Sequence, residues 1–242
     1  MIRPDWIFFD YGETLITEPR FDADEGNRAV LATARTNPRG VTVKDVRKIA
    51  AQINPMSRHL KDDLDVEAYS PSIQRLIYEI LGVEFDISWE RVDEIFWDNA
   101  APGVAMPNVG ELLKYLAGEG IRTAVISNMG FLSATLKRRI DRLIPENRFE
   151  FVMTSSEYFV RKPNPLIFRA ALSQANLPAE DVWFCGDQID ADVYGAQAAG
   201  IFPVWYEETA IPNGFARKNT GLTIPGEHLH IHHWHELIAA LD

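Results

Sequence analysis

The sequence predicts an α/β fold, a doubly wound, Rossmann-like parallel sheet interrupted after its first strand by an inserted α-helical unit. Three observations carry this. Short apolar runs alternate with helix-periodic stretches from Pro102 to the C-terminus, one further apolar run stands alone near the N-terminus, and residues 17–103 between them show helical spacing only. Strand–helix alternation implies right-handed crossovers and a parallel sheet covered on both faces. The expected domains are therefore a core of residues 1–16 and 104–242 and a helical cap of residues 17–103.

Each element has a local reason. Trp6-Ile7-Phe8-Phe9 is a bulky apolar run that stops at Asp10 and reads as a buried strand. After the punctuated stretch from Gly12 to Pro19, Thr42 with Asp45 reads as a capping box. Ser70 and Pro71 read as an N-cap and first-turn proline; Ile73, Leu76, Ile77, Ile80 and Leu81 then recur at helical spacing up to Gly82. Ser88 opens another helix, with Val92, Ile95 and Phe96 on one face. Asn108 with Glu111 predicts a capped helix carrying Leu112, Leu113 and Leu116 and ending in the Gly118–Gly120 turn. Strands are expected at 121–126, 149–153, 182–185 and 201–205, and helices at 132–144, after Asn164-Pro165, and at 191–199 before Gly200. A long polar loop then leads to a last strand and a helix ending at Leu241.

Composition narrows the function. With 46% hydrophobic and 24% charged residues in 242, the chain can bury a sizeable core plus a smaller unit. No apolar run is long enough to cross a bilayer, and the opening MIRPDWIFFD meets an Asp at once. Neither an anchor nor a signal peptide is expected, which predicts a cytoplasmic protein with no membrane partner. The single cysteine, Cys185, forbids an intrachain disulfide and fits a reducing compartment. A net charge of −11 without a basic stripe argues against nucleic acid as a partner.

In open parallel sheets ligands sit beyond the carboxyl ends of the strands, near the switch in strand order. Strand ends or adjacent loops here finish in Asp10, Ser127-Asn128, Lys162, and Asp187 with Asp192. Taken singly these are ordinary residues: a turn aspartate, a polar loop, a solvated lysine. Their recurrence at successive strand ends points to a site.

Phe9-Asp10-Tyr11-Gly12-Glu13-Thr14-Leu15 resembles the first motif of the haloacid dehalogenase superfamily, Asp-x-Asp-x-Thr after an apolar strand. Val125-Ile126-Ser127-Asn128 is similar to its second motif, Arg161-Lys162-Pro163 to its third, and Gly186-Asp187 with Asp192 to its fourth. The resemblance spans the core in order, and the insertion site is that of members with a helical cap. It implies a Mg²⁺-dependent hydrolase acting on a small phosphorylated metabolite. Asp10 would attack phosphorus to give an aspartyl-phosphate. Asp10, Asp187, Asp192 and the backbone carbonyl of Gly12 would hold Mg²⁺, whose taste is for oxygen ligands. Lys162 would offset the remaining negative charge. The hydroxyls of Thr14 and Ser127, with backbone N–H groups near Asn128, would donate to the phosphoryl oxygens. Tyr11 follows the nucleophile, where side chains point towards the cap interface, and is expected either to face substrate or to pack.

One position departs from the family pattern. The second Asp of the first motif, which protonates the leaving group and activates water, is Gly12 here. Glycine keeps the carbonyl and loses the acid, and a lost general acid typically removes about 10²–10⁴-fold in rate. Three readings follow: a phosphohydrolase whose leaving group needs no acid or whose acid lies elsewhere; a carbon–halogen or carbon–phosphorus hydrolase; and a catalytically impaired phosphate-binding or regulatory protein. Glu13 is adjacent, but successive side chains usually point apart. Phosphonate cleavage would need a cap lysine, and nothing singles out Lys44, Lys48 or Lys61. Arg20 and Arg28 read as solvated surface charge. Trp89, Phe96 and Trp97 read as cap packing, and Cys185 as core. His230 and His232 would share a strand face as two zinc ligands might, but no acid or cysteine stands at a suggestive spacing, so the segment reads as sheet packing.

Overall fold

The computed structural model describes residues 3–208 and 219–242. Residues 209–218, part of the polar loop expected after Trp205, and the first two residues of the N-terminal segment lie outside the described residues.

The first strand is where the sequence places it: β1 spans Trp6–Phe9, every residue buried. Its continuous apolar character follows from burial on both faces, as in other all-parallel sheets. Ile7 and Phe9 enter one hydrophobic cluster with Leu112, Trp183 and Trp234, whereas Trp6 and Phe8 enter another with Ile167, Phe168 and Phe184. A short strand β2 (Ile16–Thr17) follows, and the chain then runs through α1 (Ala23–Leu31), α2 (Val43–Leu64), α3 (Ser70–Leu81) and α4 (Trp89–Ala100). Strand β3 (Val104–Ala105) pairs antiparallel with β2, Ile16 opposite Ala105, so the two ends of the helical block leave the sheet side by side. This ribbon has no sequence signature; two-residue strands are too short to show periodicity.

The remainder alternates as expected: α5 (Val109–Gly118), β4 (Arg122–Ser127), α6 (Ser133–Leu143), β5 (Val152–Thr154), α7 (Ser155–Tyr158), α8 (Pro165–Ala175), β6 (Val182–Gly186), α9 (Tyr194–Ala198), β7 (Phe202–Tyr206), β8 (Leu229–Ile231) and α10 (Trp234–Leu241). The six-stranded sheet has the order β5-β4-β1-β6-β7-β8, with every pairing parallel. Phe9 lies opposite Val125 on one side and Cys185 on the other. The chain builds outward from β1 first through β4 and β5, then reverses through β6 to β8. The order therefore switches at β1, which is the strand that ends in Asp10.

Local signals fix the helix ends with few exceptions. The Asp45 carboxylate accepts from the Thr42 N–H at 2.9 Å, Ser88 Oγ accepts from the Arg91 N–H, and Asn164 Oδ1 from that of Leu166. Gly82 takes the left-handed conformation, φ 71°, that closes α3. Five expectations need correction. Tyr69, not Ser70, occupies the cap position of α3, and Ser70 spends its hydroxyl on Asp93 at 2.7 Å. Leu76 and Ile80, placed on the apolar stripe by spacing, are exposed, while Gln74, Ile77 and Tyr78 are buried. Asn108 sits at φ 61° and makes no side-chain cap. The segment expected to be helical from residue 191 begins instead with a π-helical turn, Ile189–Val193, before α9. Strand β5 is also shorter than its apolar run suggests, starting at Val152 rather than Phe149.

The helical block buries its own cluster, which includes Val30, Val46, Ile77, Tyr78, Val83 and Val92. Helices α1 and α4 approach closely at Gly26, where a β-carbon would lie 2.7 Å from the Phe96 ring. The block also rests on the sheet side: the Ser70 N–H donates to the Gly130 carbonyl at 2.9 Å, and Val66 bridges to Val160. Among the described residues no helix is long and apolar enough to cross a membrane.

Candidate active site

The Asp10 N–H donates to the Cys185 carbonyl at 2.8 Å, one step beyond the last paired residue of β1. The carboxylate therefore emerges at the carboxyl end of the sheet, between the ends of β4 and β6. Ser127 closes β4, and Gly186 closes β6 just ahead of Asp187. The loop before α8 brings in Lys162. Its ammonium, 3% exposed, donates to Asp10 Oδ1 at 2.7 Å and to Asp192 Oδ1 at 2.6 Å.

Lys162 is held from both sides. The Asn128 side-chain amide accepts from the Lys162 N–H and donates to the Lys162 carbonyl, each at 2.8 Å. Asp192 is fixed through its second oxygen, which accepts from the Gln188 N–H at 2.9 Å. A β-carbon on Gly186 would overlap the Asp192 carboxylate, so glycine is required there for the approach. The Asp187 carbonyl accepts from Trp205 Nε1 at 3.1 Å and from Asn219 Nδ2 at 2.7 Å, which anchors the β6 end.

Charge dominates this site. Asp10, Asp187 and Asp192 each offer a carboxylate oxygen, all within 4.8 Å of one another, and all three residues are buried. Burial raises the Asp192 pKa, the Asp10 charge adds to the shift, and Lys162 opposes it. Burial also works against the Lys162 charge, but Asp10 and Asp192 outweigh it and hold the lysine pKa above its ordinary value. One ammonium against three carboxylates leaves net negative charge in a desolvated place, which a further cation would offset. An all-oxygen donor set with room for water suits Mg²⁺, and these residues fit it.

The site opens into a cavity of about 570 Å³. Asp10, Tyr11, Gly12, Ser127, Asn128, Lys162, Asp187 and Asp192 line it. Thr14 does not; its Oγ1 is fully buried and has no hydrogen-bond partner among the described residues. Tyr11 is buried and its hydroxyl is committed, donating to Glu18 Oε1 at 3.1 Å and accepting from Arg139 Nε at 2.8 Å. Burial pushes that phenol well above its usual pKa.

Several lining groups were invisible to spacing arguments. Glu13, whose side chain is expected to point away from its neighbours', is among the residues lining the cavity with Asp10. Its backbone lies at φ 53°, outside the extended alternation on which that expectation rests, and its carboxylate accepts from Thr17 Oγ1 at 2.9 Å. Glu18 accepts from Trp97 Nε1 at 2.8 Å and from Arg139 Nη2 at 3.1 Å. Burial raises its pKa, against the pull of Arg139. Arg139, 2% exposed, also pairs with Asp98 at 2.7 Å and lies over the Trp97 ring. One of three arginines in an amphipathic helix reads as surface, and only the docking of α6 against α4 shows otherwise. Phe96 and Trp97, read as packing, line the cavity too, Trp97 stacked on Phe131 at 4.0 Å. Of Lys44, Lys48 and Lys61, only Lys61 lines it, together with Arg161. Both bridge to the buried Glu67, at 3.2 and 2.5 Å. Arg28 pairs with Glu25 in solvent, as surface charge should.

Residues 4–200 match the model of a hydrolase family described as haloacid dehalogenase-like hydrolase. The chain is 31% identical over 129 residues to the glyceraldehyde 3-phosphate phosphatase of Pyrococcus furiosus, a match covering 52% of this chain and 53% of that protein. The chain thus spans about half the length of that relative. It is 29% identical over 204 residues to the pyrimidine 5′-nucleotidase YjjG of Escherichia coli, covering 83% of this chain and 85% of that one. Among solved structures, a 2-haloacid dehalogenase from Pseudomonas syringae superposes with a TM-score of 0.62 at 22% identity, over 100% of this chain and 98% of that one. At that identity the likeness concerns the fold.

Proposed function

From the premise that the chain belongs to the haloacid dehalogenase-like hydrolase family, we propose that it hydrolyses a small phosphorylated metabolite through an aspartyl-phosphate on Asp10. The observation that carries the reading is the Asp10 carboxylate, lining the cavity and held 2.7 Å from the ammonium of Lys162. A carboxylate so placed, in a site that gathers cationic charge, is suited to attack a phosphate that would otherwise repel it.

The steps balance as two displacements. An Asp10 oxygen forms a bond to phosphorus while the bond to the leaving oxygen breaks, and that oxygen departs as the anion or takes up a proton. Water then attacks the aspartyl-phosphate, giving inorganic phosphate and the free carboxylate. Lys162 stays charged throughout and keeps the nucleophile oriented, and Asn128 keeps Lys162 in place. Ser127 and backbone N–H groups near Asn128 donate to the phosphoryl oxygens, and Thr14, buried behind the cavity wall, supports the loop instead. Asp10, Asp187, Asp192 and the Gly12 carbonyl would hold Mg²⁺, which supplies charge neutralisation of the phosphate when bound. Tyr11 forms part of the wall beside the nucleophile, its hydroxyl tied back to Glu18 and Arg139.

With Gly12 in place of the usual acid, the leaving group is either one that departs without protonation, such as an acyl phosphate, or one that takes its proton from Glu13. Residues 17–103 serve as the cap, contributing Lys61, Phe96 and Trp97 to the cavity and so setting the substrate. Lys61 and Arg161 share a single carboxylate, Glu67, and favour a substrate with a second anionic group. The relatives named phosphatase and nucleotidase support phosphoryl transfer over carbon–halogen cleavage. The test is a phosphate-release screen of many phosphometabolites with Mg²⁺ and with chelator, using Asp10→Asn as the blank. Release that persists in Asp10→Asn, or no release from any compound, defeats the proposal.

A further inference from the structure

We propose that Glu207, His230 and His232 form a second cation site, separate from the carboxylate cluster and selective for a divalent transition ion such as Zn²⁺. The basis is register. Strands β7 and β8 pair in parallel with Trp205 opposite His230 and Tyr206 opposite Ile231. Side chains alternate faces with period 2, so Glu207, two residues after Trp205, and His232, two after His230, fall on the same face as that pair. Ile231 and Tyr206 take the other face and are buried. Each of the three residues offers one ligand atom, and these atoms lie within 4.8 Å of one another.

The rings are already oriented. His230 stacks on the Trp205 indole at 3.9 Å and 16°, and its Nε2 lies 3.0 Å from Glu207 Oε2. His232 Nδ1 lies 3.0 Å from the Glu207 carbonyl, which can only accept; the proton is thereby placed on Nδ1 and the lone pair on Nε2. Backbone support of this kind is what ligating histidines use to fix tautomer and ring plane. The pair that a metal would displace, His230 with Glu207, is about one-third exposed on each side and so contributes little on its own. Small side-chain rotations bring the donors to bonds of about 2.0–2.2 Å, leaving a fourth position for water.

Two imidazoles and one carboxylate select a different ion from three carboxylates. Imidazole suits Zn²⁺ and Ni²⁺, whereas carboxylate and water suit Mg²⁺. Metal entry needs the His230 Nε2 lone pair, so the proton now between His230 and Glu207 moves to Nδ1 or to solvent. The ion would tie the three-residue edge strand β8 to β7, and the site is independent of whether Asp10 is a nucleophile.

The test uses full-length protein free of any polyhistidine tag, with Mg²⁺ present in excess to saturate the carboxylate cluster. Calorimetric titration with Zn²⁺ should show one ion bound per chain, with the melting temperature rising on addition. Ni²⁺ should quench tryptophan emission, and Trp205→Phe should remove most of that quenching. His232→Ala should weaken Zn²⁺ binding by about 100-fold or more, given that even supporting residues contribute about 10–100-fold. Asp187→Asn should leave this Zn²⁺ binding intact. Equal Zn²⁺ binding by wild type and by His230→Ala/His232→Ala, with both folded by circular dichroism, would overturn the proposal. So would the absence of micromolar binding to wild type.

Discussion

Gly12→Asp restores a carboxylic acid beside the nucleophile and measures what its absence does. Glycine at 12 lines the cavity, and a β-carbon built there meets nothing within 4 Å. Its backbone is not among the left-handed positions, so an L side chain enters without strain. The new carboxylate joins an already acidic site, and like charge raises its pKa, the direction a proton donor needs. A positioned general acid contributes about 10²–10⁴-fold, or about 2.7–5.5 kcal/mol off the barrier. The assay is steady-state phosphate release under saturating Mg²⁺ with an alkyl phosphate and with acetyl phosphate. Turnover of the alkyl ester should rise by about 10²-fold or more, while acetyl phosphate, whose leaving group needs no proton, should change only a few-fold. A folded variant that gains nothing on any alkyl phosphate would refute the reasoning and assign the proton transfer to a group already present, Glu13 first among them.

Lys162→Met removes the one ammonium between Asp10 and Asp192 and leaves two buried carboxylates unpaired. Phosphate release should vanish and stability should fall by about 3–5 kcal/mol, read by urea unfolding, with partial recovery on adding Mg²⁺. Asp93 is buried, and burial lifts its pKa from 3.8 to about 7. The folded state therefore binds the proton more tightly than the unfolded state. Its stabilising contribution is complete below about pH 4 and is lost as pH rises through about 7, a swing of at most about 4 kcal/mol. Asp93→Asn should show a growing stability advantage over wild type between those limits in urea melts, and a pH-independent difference would exclude the mechanism. Lys61→Ala leaves Glu67 paired with Arg161, so folding should be preserved. KM should rise about 10-fold for substrates with a second anionic group and little for those without, at near-constant kcat, a uniform-binding loss.

The strand ends of the site were legible because they are local. An apolar run that stops at Asp10, another that stops at Ser127-Asn128, and Gly186-Asp187 after a third each announce themselves within a few residues. Capping at Thr42, Ser88 and Asn164 is local in the same way, since the side chain bonds a backbone group two or three positions away. Asn108 misled because its backbone adopts the left-handed conformation, in which the side chain has no cap to make. Leu76 and Ile80 misled because helical periodicity defines an apolar side without saying how much of it a neighbouring helix covers.

What only tertiary structure decided are the relations between distant segments. Arg139 becomes a buried cation because α6 docks beside α4 and the Tyr11 hydroxyl, 128 residues away in sequence. Glu207 comes to face His230 because β7 and β8 pair in one register, and a shift of a single residue would put it on the opposite face. Sequence by itself determined the main strands and helices, the order of the polar groups at their ends and the family, since backbone propensity and apolar spacing act over a turn or a strand. Which side chains share a cavity is set by how those elements pack and by the register between strands far apart in the chain. Those are long-range choices that no short window of residues encodes.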